Sequence, residues 1–154
     1  MGLLPIALRM DGKLAVVVGG GPVGARKAQG VLDAGGRVKL ISPEAVEALE
    51  TLAAAELIEW ERRRYEAKDL DGADIVFAAT NVRETNGSIA LEANKRGILC
   101  NVADAPEEGD FHSAAVVRQE QLVIGVNNED RNPKRAVKVK RLISNWISDF
   151  LNGQ

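Results

Sequence analysis

The chain has 154 residues, 45% hydrophobic and 27% charged, enough for one soluble domain with its own core. Its 20 basic and 22 acidic residues leave a net charge of −2, which argues against a nucleic-acid partner. One cysteine (Cys100) and one histidine (His112) exclude an internal disulfide, an all-cysteine metal cage and a multi-histidine zinc site. No apolar run nears the ~20 residues of a membrane span. The opening MGLLPIALRMDGK lacks the basic start and long apolar stretch of a secretion signal. A cytoplasmic, reducing setting with no membrane partner is therefore expected.

Residues 13–18 form an apolar run between Asp11-Gly12 and Gly19-Gly20-Gly21, the pattern of a strand covered on both faces. Residues 22–34 follow without an interior proline. Val23, Ala28, Val31 and Leu32 make one helical face there, and Gly35-Gly36 stops it. Residues 37–41 read as a second strand. Pro43 opens a second helical stretch, with Val46, Leu49 and Leu52 three apart. Residues 57–60 are a third strand, and residues 74–79 a fourth that ends at Thr80-Asn81. Residues 86–96 are helical, with Ile89, Ala90 and Ala93 inward and Gly97 as the stop; residues 98–103 are a fifth strand. This β-α-β-α-β-β-α-β order predicts an α/β fold with a Rossmann-like doubly wound parallel sheet.

The pattern changes after Asp104. Residues 105–111 are a polar loop, residues 114–117 and 122–126 two short strands, and residues 127–133 a polar turn. Residues 134–151 then form an amphipathic helix with Val139, Ile143, Trp146, Ile147 and Phe150 on one face. The expected division is a dinucleotide-binding domain over 1–112 and a short dimerisation and substrate-side region over 113–154. Trp146, Ile147 and Phe150 need a second surface to cover them, so a homodimer is expected.

Gly19-Gly20-Gly21-Pro22-Val23-Gly24 matches G-x-G-x-x-G where that fingerprint belongs, after a buried strand and opening a helix. Gly19 permits the tight turn, Gly21 lets the backbone approach a pyrophosphate, and Gly24 allows close helix–strand packing. The acidic residue that usually closes the second strand is missing; Ile41-Ser42-Pro43 stands there. Ser42 can bond a ribose, whereas Arg37 and Lys39 can flank a 2′-phosphate. The residues alone leave NAD and NADP open. Thr80 and Asn81 fall beside the cofactor at the end of the fourth strand, although Thr80 also suits a helix start.

These features together resemble the precorrin-2 dehydrogenase family of sirohaem synthesis. The resemblance rests on Leu4-Pro5-Ile6 with Asp11-Gly12-Lys13, on residues 17–27 (VVGGGPVGARK), on Ala78-Ala79-Thr80-Asn81 and on residues 100–106 (CNVADAP), in that order. It implies NAD as oxidant and precorrin-2, an anionic tetrapyrrole, as the substrate oxidised to sirohydrochlorin. It also implies a dimer, and in some members insertion of ferrous iron. Asp104 matches the family's active-site aspartate. The chain departs from the pattern at Ala114, where the family has a proline, and at residues 127–133, where Glu129 and Asp130 replace glycines. It also ends after one helix, where typical members continue into a further helical domain.

Three other features invite chemistry. His112 is a possible proton shuttle, with Asp110 nearby to pair with it. Arg62-Arg63-Arg64 is either a solvated loop or a site for substrate carboxylates. Arg131, Lys134, Arg135, Lys138, Lys140 and Arg141 form a second basic set. Cys100, in mid-strand, reads as a small buried residue. Three activities stay open beside the dehydrogenase: a dehydrogenase that also chelates iron, a non-enzymatic nucleotide- or tetrapyrrole-binding protein, and an unrelated dehydrogenase. No metal site is expected.

Overall fold

An all-apolar strand such as residues 14–18 must be covered on both faces. The computed structural model, which describes residues 2–127 and 133–152, supplies that cover. The chain divides into two units, Leu8–Phe111 and one drawn from residues 1–7 and 112–154.

In the first unit, β1 (Leu14–Gly20), β2 (Arg37–Ala45), β3 (Glu59–Glu61), β4 (Ile75–Ala78) and β5 (Leu99–Val102) form a five-stranded sheet in the order β3-β2-β1-β4-β5. All its pairings are parallel. Helices α1 (Pro22–Leu32), α2 (Glu47–Ala54) and α3 (Arg83–Arg96) connect strands, and short 3-10 turns lie at Ala67–Leu70 and Pro106–Glu108. The chain runs outward from β1 to β3, then returns to β4 on the other side of β1. That reversal opens a crevice between β1 and β4 at the carboxyl edge, where such sheets take ligands.

Alternation along β1 builds the two core layers. Ala15 and Val17 pack with Ala28 and Val31 of α1 and Leu49 of α2. Val16 and Val18 point the other way, into a layer with Ile89, Ala90 and Ala93 of α3. Each fully buried valine contributes about 1.5–3 kcal/mol of transfer free energy. β1 is thus fixed from both sides, and its end is a rigid platform for the turn that follows.

The largest departures from the sequence expectation lie at two places. Strand β2 runs on through Pro43 to Ala45, and α2 begins only at Glu47. The register shifts past Val18 so that Gly20 pairs with Ala45, and Pro43 falls in that bulge, a place in a sheet where proline fits. Helix α3 begins at Arg83, ahead of Asn86, because the Thr80 hydroxyl accepts the Val82 N–H (3.1 Å) and closes a turn before it.

The second unit contains an antiparallel hairpin, β6 (Ala115–Gln119) and β7 (Leu122–Val126), and α4 (Pro133–Asn152), which packs on both strands. The polar turn expected over 127–133, like Arg131, lies mostly outside the described residues. The apolar face of α4 is split rather than single. Ala136 and Ile147 are buried, whereas Trp146 (66% exposed) and Phe150 turn outward and stack on each other at 5.8 Å. Among the described residues, no helix is long and apolar enough to cross a membrane.

Candidate functional site

The glycine turn sits at the crevice, and its glycines have different jobs. Gly19 has φ +115°, and a Cβ there would lie 2.4 Å from the Ala79 carbonyl oxygen, so the ends of β1 and β4 meet backbone to backbone. A Cβ on Gly20 would lie 2.1 Å from the Glu44 carbonyl oxygen, and one on Gly24 would lie 2.0 Å from that of Gly19. These three positions are filled by the protein itself. Gly21 is the opposite: nothing lies within 4 Å of its missing Cβ.

Gly21 is also the N-cap of α1, and no side chain caps the helix. Pro22 brings no N–H, and no acidic residue stands in the first turn. Val23 belongs to that first turn. The positive end of the helix dipole therefore faces the space beside Gly21 without a neutralising group. A bare helix mouth with a side-chain-free approach fits a pyrophosphate.

At the end of β2, Ser42 is tied into the fold. Its hydroxyl accepts the Gly20 N–H (2.9 Å) and donates to the Glu44 carbonyl (2.7 Å). Trp60 donates its indole N–H to the Ser42 carbonyl (2.9 Å). Ser42, itself buried, thus holds the glycine turn in shape.

The basic run after β3 splits three ways. Arg62 lies over the Trp60 ring, 4.1 Å from its centre. Arg63 forks onto the buried Asp69 carboxylate at 2.6 and 2.8 Å, and that ion pair holds Asp69 well below the usual carboxylate range. Arg63 is a structural residue, not a free cation for substrate. Arg64 is exposed.

Past β4 the side chains form one network. Asn86 is fully buried and donates from Nδ2 to the Thr80 carbonyl (3.0 Å) and to Oδ1 of Asp104 (3.0 Å). Its Oδ1 accepts from the Thr80 N–H (3.1 Å) and hydroxyl (2.7 Å). Thr80 therefore braces the turn ahead of α3 through Val82 and Asn86, while the N-cap position itself is Val82 and has no side-chain cap. Asn81 is exposed beside it. Arg83, on the first turn of α3, donates to Oδ1 of Asp104 (2.8 Å) and also pairs with Glu108. Burial alone would raise the Asp104 carboxyl, but the hydrogen bonds from Arg83 and Asn86 outweigh it and hold the group below its ordinary value.

Asp110 accepts the Cys100 N–H (2.8 Å) and so braces β5. Burial, then the nearby Asp110 charge, pushes the Cys100 thiol up to about 12, which keeps it inert. His112 belongs to the second unit, where Lys134, Arg135, Lys138 and Arg141 are exposed along α4. Among the described residues, no group of three or more histidine, cysteine, aspartate or glutamate side chains could hold a metal ion. Sequence reasoning missed Arg83, Asn86 and Glu108. Asn86 carried a signal, since it falls in line with Ile89, Ala90 and Ala93 on the buried face of its helix.

A parallel sheet that reverses at β1 and β4, with an uncapped glycine-lined helix mouth at that reversal, defines a Rossmann-type dinucleotide-binding protein. Residues 6–115 match the family model described as "Putative NAD(P)-binding", and the chain belongs to that family. It is 36% identical over 133 residues to siroheme synthase 1 of Aeromonas salmonicida (strain A449), across 86% of this chain and 28% of that protein. It is 35% identical over 147 residues to the siroheme synthase of Ectopseudomonas mendocina (strain ymp), across 96% of this chain and 31% of that one. The chain thus spans under a third of the length of these relatives. In fold it is similar to SirC, a precorrin-2 dehydrogenase, with a TM-score of 0.80 and 21% identity over 93% of this chain and 70% of that one.

Proposed function

We propose that this chain is a NAD-dependent precorrin-2 dehydrogenase, which oxidises an anionic tetrapyrrole to sirohydrochlorin in sirohaem biosynthesis. One observation carries the reading. The open mouth of α1 and the Asp104 carboxylate lie at the same carboxyl edge of one parallel sheet, with β4 between them. Relatives named siroheme synthases support the substrate class.

NAD, when bound, supplies the hydride acceptor. The chain's own residues do the rest. The α1 N-terminus and Gly21 receive the pyrophosphate charge. Ser42 stands at the ribose end, and Thr80 and Asn81 stand at the edge of β4. Asp104, already ionised, takes a proton from the substrate ring as the hydride leaves it. Substrate oxidation thus yields one hydride to the cofactor and one proton to the carboxylate. The cytoplasm, which holds the NAD pool, is the proposed setting.

The test is anaerobic incubation of the protein with precorrin-2 and NAD, following NADH and sirohydrochlorin together. Equal appearance of both is expected. A protein that binds NAD and forms neither product favours a non-enzymatic role. Sirohydrochlorin supplied with ferrous iron in the same apparatus tests for chelation.

The outward Trp146–Phe150 stack, with Val139 and Leu142 also exposed on α4, supports a second copy of the chain as partner. Sedimentation at micromolar concentration is expected to give a dimer mass; a monomer mass removes this part of the reading.

A further inference from the structure

We infer that Arg83 is a positioning residue for Asp104, fixing one carboxylate oxygen so that the other meets the substrate. This rests on the dehydrogenase reading above. Arg83 and Asn86 are three residues apart on α3, which puts them on one helix face, and both donate to the same oxygen, Oδ1. Both of these side-chain donors thus meet on Oδ1, and the Asp104 backbone N–H also bonds the carboxylate. Asn86 is fully buried and locked to Thr80, so its grip cannot drift. Arg83 is the adjustable half of the clamp. It is partly exposed, and Glu108 of the second 3-10 turn holds its other nitrogen.

The clamp has two chemical effects. It narrows the orientations of a carboxylate that must meet one proton, a gain in near-attack geometry. It also places one positive charge against Asp104, with Glu108 as the only other charged side chain bonded to that guanidinium among the described residues. Asp104 therefore stays ionised to lower pH than a free carboxyl, at the cost of weaker basicity.

The test compares wild type with Arg83→Met and Arg83→Lys in the precorrin-2 assay across pH, beside an NMR titration of the Asp104 carboxyl in the protein alone. Arg83→Met should fold normally, because the pair it breaks is exposed. Its turnover is expected to fall by about 10- to 100-fold with NAD affinity unchanged. The acid limb of its kcat/KM profile should move to higher pH, since removing the cation lets the Asp104 midpoint rise. Arg83→Lys should restore the acid limb, by charge, more fully than the turnover, which needs the planar fork. Wild-type turnover and an unmoved acid limb in Arg83→Met would overturn the inference. If the wild type does not oxidise precorrin-2, the dehydrogenase reading fails, and the positioning role built on it fails too. The titration then still reports whether Arg83 holds the carboxylate.

Discussion

Asp104→Asn is expected to lower precorrin-2 turnover by about 100-fold or more, the range for losing acid–base assistance, while NAD binding changes little. The geometry makes this substitution unusually selective. An asparagine at 104 keeps an amide oxygen where Oδ1 now accepts from Arg83 and Asn86. The network that joins Thr80, Asn86 and α3 should therefore survive. What changes is the second oxygen, which becomes an NH₂ group that cannot accept a proton. Loss of charge also leaves Arg83 facing Glu108 alone, a change at an exposed pair that costs little stability. The measurement is single-turnover oxidation of precorrin-2 under saturating NAD, with calorimetry for the cofactor. A near-wild-type rate would remove Asp104 from the mechanism. A slow mutant with an intact melting curve and intact NAD affinity would place the loss in proton transfer alone.

How far the sequence reveals this protein depends on how local each feature is. The apolar run of β1 and the glycine turn are contiguous, so periodicity and spacing identify both, and with them the Rossmann-like sheet. The helix boundaries shift where a side chain overrides propensity: Thr80 builds a turn that starts α3 three residues early, and the β-bulge carries β2 through Pro43. Partnerships between distant residues are hidden. Nothing adjacent to Asp104 announces Arg83, which reaches it from 21 positions away. Arg63 looks like part of a free basic run until the fold brings Asp69 under it. The face of α4 misleads for a different reason. Its buried and exposed apolar stripes are adjacent, and a helical projection merges them into one.

Gly21→Asp is expected to abolish measurable NAD binding while leaving the protein as stable as before. The two halves of this outcome come from different observations. Gly21 has φ −79° and ψ −177°, extended backbone that any residue adopts, and its missing side chain points into space with no atom within 4 Å. An aspartate fits there without strain. It would also cap α1, since aspartate is a preferred N-cap and a negative charge suits the helix start. The melting temperature of the nucleotide-free protein should hold or rise slightly. For the ligand the same carboxylate is ruinous. It fills the approach to the backbone N–H groups and sets a like charge against the pyrophosphate, at several kcal/mol, or more than about 100-fold in Kd. Gly24→Ala supplies the contrast. Its methyl would sit 2.0 Å from the Gly19 carbonyl oxygen, a backbone atom that cannot yield, so α1 must lift from β1. Overpacking of this kind costs about 1–3 kcal/mol, and its melting temperature should fall. Calorimetry with NAD and thermal melts of both variants separate a glycine kept for a ligand from a glycine kept for packing. If Gly21→Asp still binds NAD with wild-type affinity, the helix mouth is not the nucleotide site. If it loses stability as Gly24→Ala does, the space beside Gly21 serves the fold instead.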